Sequence, residues 1–159
     1  TEGDLKARVR FASFLYLSTE YAEAIKELDA IEAAGLKTNV MRRLKGLSLL
    51  QMGRLEDAKA AMDDYFANVK REEYIIWQDY EAMGDIYREM GDLEKADEYY
   101  VKMISKNVDR TDKFTDLAEM YHKELRKLQS QSRKMKKDAK ALNDPIQAAY
   151  AKANECAKA

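Results

Sequence analysis

Little in this 159-residue chain breaks a helix, since it holds one proline, Pro145, and six glycines. That scarcity excludes a strand-rich fold with many tight turns. A single cysteine, Cys156, excludes an internal disulfide, and its Ala and Lys neighbours offer no metal-ligand cluster. A single histidine, His122, would have to anchor any His-based metal site or Ser-His-Asp triad, yet no Gly-flanked serine or second ligand accompanies it. The glycines are dispersed, so no phosphate-cradling loop exists. The formal charge of -1 and a pI of about 6.0 remove any global pull towards nucleic acid or anionic membrane. No apolar run approaches the roughly 20 residues of a membrane span, and no basic, apolar, small-residue signal opens the chain. The chain starts at Thr1 without Met, which fits a processed product or a piece of a longer protein.

What is present is amphipathic. Hydrophobic residues make up 46% and charged residues 36% of the chain, a balance that predicts long two-faced helices and an all-α fold. The clearest stretch is Tyr80 to Met103. Met83-Gly84, Tyr87, the helix-breaking Gly91, then Ala96, Tyr100 and Met103 give two helices joined by a tight turn. Such a hairpin buries one face only, so it predicts copies of itself.

The copies are there. Asp4 is the expected cap of a first helix with Leu5, Val9, Ala12, Leu15 and Tyr16. Ser18-Thr19 is the expected cap of a second with Tyr21, Ala24, Ile25, Leu28 and Ile31, ending at Gly35. Asn39 begins the next hairpin, through Leu44, Gly46, Leu47 and Leu50 to Gly53, then Leu55, Ala58, Met62, Tyr65 and Phe66. Ala24 to Ala58 is 34 residues, Gly46 to Gly84 is 38, and Gly84 to Ala118 is 34 again. The longer step falls where Tyr74, Ile75, Ile76 and Trp77 are expected to extend the third hairpin at its start. Gly46 and Gly84 are expected to let the helices of a pair approach closely, with Ala58 and Ala96 doing the same from the other side.

These residues resemble the tetratricopeptide repeat family, whose pattern sets a bulky residue, Leu-Gly, Tyr, a turn glycine, Ala, an aromatic and Ala. The third repeat matches at Tyr80, Met83-Gly84, Tyr87, Gly91, Ala96 and Tyr100. The second matches at Gly46, Leu49, Gly53, Ala58 and Met62. The first is weaker, with Thr19 in place of the turn glycine. The expected architecture is all-α, a right-handed superhelical array over 4-121 with repeats at about 5-38, 39-76 and 77-110 and a fourth starting at 111.

After Tyr121 the hairpin break is missing. Phe114, Ala118, Tyr121, Leu125, Leu128, Ser132, Met135, Ala139 and Leu142 alternate steps of four and three, a heptad seam. It predicts one long basic helix over 112-142, weakest at Ser130-Gln131-Ser132. Asp144 as cap and Pro145 at the first position then predict a helix over 145-158 that packs back through Ile146, Ala149, Tyr150 and Ala153. From Lys123 to Lys140 eight basic residues stand against Glu124 and Asp138. No aromatic is interleaved for base stacking, so the run reads as a solvated face or a match for another chain's acidic surface. Nucleic acid is not an expected partner.

Neither Asp63-Asp64 nor Asp97-Glu98 converges on a helix, so these pairs read as solvated faces. His122 reads as a polar groove residue. Cys156 reads as a small packing residue, with Lys152 and Lys158 near enough to lower a thiol pKa.

The resemblance implies a non-catalytic module with no cofactor, whose first helices line a concave groove for an extended peptide or helix. Carried over residue by residue, the groove positions are Val9, Ser13 and Tyr16; Arg43, Leu47 and Leu50; Glu81, Asp85 and Arg88; Thr115, Glu119 and His122. The groove is expected to be apolar at one end and acidic at the other, where Glu81, Asp85 and Glu119 suit a basic ligand. One subclass of the family grips a chaperone's C-terminal carboxylate with Lys, Asn and Arg. Here those positions hold Val9, Ser13, Leu44, Gln78 and Ala82, so that role is excluded. Phrases such as RLKGLSLLQMG and DYEAMGDIYREMGDLEKA resemble fragments of long bacterial multi-repeat scaffolds, which implies a cytoplasmic or a periplasmic, envelope-associated setting. The alternative reading is self-assembly, a homodimer through the heptad helix 114-142.

Overall fold

The computed structural model describes residues 1–106, 108–131 and 136–158, which separate into two units, 1–75 and 76–159. Among the described residues every regular element is helical.

The first unit is built from α1 (Glu2–Leu17), α2 (Tyr21–Ala33), α3 (Asn39–Gln51) and α4 (Leu55–Ala67), followed by a short 3-10 turn, Glu72–Tyr74. α1 packs on α2, α2 on α3 and α3 on α4. Its first core joins Ala12, Leu28, Ile31, Met41 and Leu44, with Leu5, Val9, Tyr16 and Leu36 against them. Further along, Leu49, Ala58, Met62 and Tyr65 are buried. Gly46 is where α3 meets α4, since a methyl there would lie 2.6 Å from Met62 Sδ.

Three local expectations are corrected. α1 begins at Glu2, because Thr1 rather than Asp4 is the cap: Thr1 Oγ1 accepts from the Asp4 N–H while the Asp4 carboxylate accepts from Thr1. α2 is preceded by Glu20, which makes no capping bond, because Thr19 is occupied as the turn itself at φ 63°. The residues before Trp77 do not lengthen the next helix. They form the separate 3-10 turn, and α5 starts only at Trp77, where the Asp79 carboxylate accepts the Ile76 N–H at 3.2 Å and fixes the start.

The second unit holds α5 (Trp77–Glu89), α6 (Leu93–Ile104), α7 (Thr111–Gln131) and α8 (Lys136–Lys158). α5 packs on α6, α6 on α7, and α7 along much of α8. Gly84 lets α5 meet α6, with a methyl there lying 2.5 Å from Tyr100 Cδ1 and closer still to Cε1. Tyr100 is fully buried and stands edge-on to Phe114, ring centres 6.2 Å apart. Gly91 makes the turn at φ 86°.

The helix bounds at this end differ from the expected 112-142 and 145-158. α7 is described over Thr111–Gln131, and α8, described from Lys136, runs straight through Asn143, Asp144 and Pro145. The stop-and-restart expected there is therefore replaced by a continuous helix. Ala139, Ile146 and Ala149 are all buried at helical spacing on both sides of the proline, and that common face carries α8 past the one hydrogen bond the proline removes. The seam that predicted one helix is shared by two, since Phe114, Ala118 and Tyr121 of α7 and Ala139 of α8 are buried alike. Ser132 and Met135 of that seam lie outside the described residues.

Candidate functional site

In the second unit the predicted groove residues of α5 meet the start of α7. Lys113 Nζ donates to both oxygens of Asp85, at 2.8 and 3.0 Å, and lies 3.6 Å from Glu81. Arg110 donates to Glu81 at 2.6 Å, and the Tyr100 hydroxyl donates to Asp85 at 2.6 Å. The side chains of Lys113, Asp85 and Glu81 are only 10%, 20% and 20% exposed, so these are largely dehydrated, charge-assisted contacts. Burial, and then the Asp85 charge, hold the Tyr100 hydroxyl far above its ordinary pKa. Arg110 also stacks over Trp77, 5.7 Å from the ring centre. Glu81 and Asp85 thus have cationic partners within the unit. That weakens the charge argument for a basic ligand at these two residues.

The remaining predicted residues of this unit gather one turn further along. Arg88 of α5 and Glu119 and His122 of α7 border one groove of about 830 Å³, with Asp116 and Arg126, and Tyr150 of α8 forms its other side. Arg88 is held 3.2 Å from Glu89, 3.6 Å from Asp116 and 3.8 Å from Asp85. Burial works against its charge, and Tyr100, Asp85 and Glu89 more than restore it. The His122 ring stands 5.4 Å from the Tyr150 ring, tilted by 50°. Thr115 is exposed, its hydroxyl turned back to the Thr111 carbonyl.

In the first unit Tyr16 is half-buried, its ring tilted against Tyr21 at 5.7 Å. Burial raises its hydroxyl pKa, and the nearby Arg43 charge opposes the rise. Leu50 is half-buried, whereas Leu47 is a core residue with little surface to offer. Ser13 donates to the Val9 carbonyl at 3.1 Å. A cavity of about 360 Å³ in this unit lies elsewhere, between α2, α3 and α4. Tyr16, Arg43, Leu47 and Leu50 take no part in it. Its rim is an ion-pair network, with Lys45 on Asp29 and Arg42 on Asp64 at 2.5 and 2.9 Å.

Sequence reasoning missed Arg110, Lys113 and Tyr150. Lys113 lies 34 residues after Asp79, at a register the repeat buries, and a lysine at a buried register next to two α5 carboxylates was the available signal. Tyr150 was legible only as a packing residue of the last helix, and nothing in the sequence set it beside His122. Cys156 is half-buried, and burial first, then Asp109 and Glu155, push its thiol pKa up. The expected lowering by Lys152 and Lys158 is not seen, since burial and these two carboxylates dominate, and Lys152 is itself paired with Asp97. Among the described residues no group of three His, Cys, Asp or Glu could hold a metal ion, and no helix is long and apolar enough to cross a membrane.

The hairpin α5–α6 matches a known family model, tetratricopeptide repeat, over residues 80–105. The chain carries a tetratricopeptide repeat. Its fold is also that of such proteins. The C-terminal part of a TPR repeat-containing protein from Cytophaga hutchinsonii superposes with a TM-score of 0.66 at 20% identity, over 93% of this chain and 61% of that one. This chain therefore spans about three-fifths of the length of that tetratricopeptide structure. Comparison with curated proteins finds no match. Tetratricopeptide repeats generally mediate contacts between proteins and are generally non-catalytic.

Proposed function

We propose that this tetratricopeptide chain is a protein-interaction module, part of a larger scaffold, that holds an extended peptide or a helix along the faces of its first helices. The observation that carries the reading is the open groove in which Arg88, Glu119 and His122 meet Tyr150. It offers an aromatic wall, an imidazole and charges of both signs, a lining suited to a mixed-charge peptide backbone and side chains. In this reading Tyr16, Arg43 and Leu50 serve the same purpose in the first unit, and Leu47 supports them from beneath. Glu81 and Asp85 act indirectly, by fixing α7 against α5 and so setting the groove width.

The test is affinity capture with the intact chain and with a variant carrying Arg43→Ala, Glu119→Ala and His122→Ala, both checked by circular dichroism. Loss of specific partners from the folded variant is the expected result. Recovery of the same partners in the same amount would discard the groove.

The second reading, a homodimer through 114-142, has less support, because Phe114, Leu117, Ala118 and Tyr121 are already buried in the monomer. A concentration-dependent dimer in sedimentation that Leu125→Asp and Leu128→Asp abolish would restore it.

A further inference from the structure

The charges that border the groove between α5, α7 and α8 are sorted by sign. Along α7 they run Asp116, Glu119, Lys123, Arg126, about 15 Å from first to last at 1.5 Å per residue. At the acidic end Arg88 of α5 meets Asp116 at 3.6 Å and Glu89 at 3.2 Å, and it also serves Asp85. One guanidinium there stands against several carboxylates, so that end keeps a surplus of negative charge. At the other end Lys123 and Arg126 are exposed and have no carboxylate partner among the described residues. Glu119 and Lys123 stand four apart, the spacing at which a helix pairs opposite charges, yet no ion pair joins them. Between the two poles lie the His122 and Tyr150 rings.

A groove with two poles does not suit a partner of one sign. A uniformly acidic segment gains at Lys123 and Arg126 but is repelled at Asp116 and Glu119, and a uniformly basic one meets the reverse. A nucleic-acid backbone, negative along its whole length, is disfavoured for the same reason. We propose that the segment held here is a charge-segregated peptide, with cations over the Glu119 end, an apolar side chain on Tyr150 and carboxylates over Lys123 and Arg126. The inference rests on the groove reading above and adds to it the order of the partner's charges. At about 3.3 Å per residue, four or five residues of extended chain span the two poles.

The probes are three short fluorescein-labelled peptides, titrated with the intact chain and followed by anisotropy. The first has a block of lysines, a central phenylalanine and a block of glutamates. The second has the same residues with the charges interleaved, and the third has lysine in place of every glutamate. Saturable binding of the blocked peptide is expected, about tenfold tighter than that of the interleaved one. Lys123→Glu with Arg126→Glu, both at exposed sites, should weaken the blocked peptide about tenfold and make the all-lysine peptide the tighter ligand. Lys26→Glu with Lys70→Glu makes the same change of net charge at exposed sites in the first unit and should leave the ranking as it was. Circular dichroism confirms folding of each variant. Absence of saturable binding by the blocked peptide would overturn the proposal, as would equal affinity for the interleaved one or a ranking that survives the Lys123 and Arg126 reversal. Displacement of the blocked peptide by an equal concentration of oligothymidylate would also overturn it, by giving the cations to nucleic acid. Failure of the groove itself would look different, since capture with the Arg43, Glu119 and His122 variant would then lose no partner. Partners lost from that variant but kept by the Lys123 and Arg126 reversal would leave the groove standing and remove only the order of charges.

Discussion

In residues 1–75, Lys45 of α3 reaches Asp29 of α2 with the two side chains 32% and 53% exposed, whereas in 76–159 Lys113 of α7 reaches Asp85 of α5 with 10% and 20% exposed. Both are lysine–aspartate pairs between helices of different hairpins. The first is wet and has its water as an alternative partner, so it holds little. The second has lost most of its water and also engages Tyr100 and Glu81, so each group depends on the others. The same repeat therefore yields an adjustable set of surface charges in one unit and a fixed polar joint in the other, and the joint stands beside the groove bordered by Arg88, Glu119 and His122.

The largest test of that contrast is to delete the acid from each pair. Asp85→Ala leaves Lys113 largely buried with only Glu81 in reach and leaves the Tyr100 hydroxyl without its acceptor. About 3 kcal/mol of unfolding free energy should be lost. Asp29→Ala should cost less than about 1 kcal/mol. Urea titrations followed by tyrosine fluorescence measure both, and equal losses would break the comparison.

The close approaches sharpen it next. Gly84→Ala drives a methyl into the Tyr100 ring, which cannot retreat because its hydroxyl is tied to Asp85. Gly46→Ala meets the flexible end of Met62 instead, although the Met62 backbone N lies only 3.3 Å away. Alanine returns about 1 kcal/mol of helix propensity at either site. A net loss of about 2 kcal/mol is expected at Gly84 and little change at Gly46, read from the same urea midpoints.

Those two glycines were legible from spacing alone, as were Ala58, Ala96 and the turn at Gly91, because close approach and left-handed backbone restrict residue choice at single positions. The paired helices α1 to α6 followed from the same marks. The end of the chain was not legible in the same way. A four-and-three seam fits one long helix or two helices facing each other, and nothing in residues 112-142 distinguishes them without the partner face from Ile146 and Ala149. Pro145 gave a strong local stop signal that burial on both sides overrode. Of the candidate site, positions such as Arg88, Glu119 and His122 came only from the resemblance to the repeat family, carried over residue by residue. That Glu81 and Asp85 are paired could not be read in this way, since it depends on how α7 docks against α5.

Turn chemistry gives a smaller test of the same contrast between units. The first unit makes its α1–α2 turn with Thr19 at φ 63°, while the second makes its α5–α6 turn with Gly91 at φ 86°. A β-branched residue there is strained by about 1–2 kcal/mol, and glycine relieves that but adds freedom to the unfolded chain, returning about 0.5–1 kcal/mol. Thr19→Gly should stabilise by about 0.5 kcal/mol, seen as a higher urea midpoint. A loss would mean that the threonine side chain contributes something the turn geometry does not show.

The smallest expected effect is a pH dependence in the first unit. Arg8 donates to Glu27 at 2.6 Å across α1 and α2, and that bond first of all holds the Glu27 carboxyl below its ordinary pKa. A depressed carboxyl pKa contributes stability that is present above the unfolded value of about 4.5 and is lost as pH falls through the folded value. Glu27→Gln should therefore lower the melting midpoint slightly at pH 7 and not at all below pH 3, where both proteins lack the charge. Because the Arg8 side chain is 41% exposed, against 10% for Lys113, salt should shrink the pH 7 difference further. A larger effect that persists in high salt would mean that this pair, like Lys113 and Asp85, is a fixed joint, and the contrast between the two units would fail at its lowest rung.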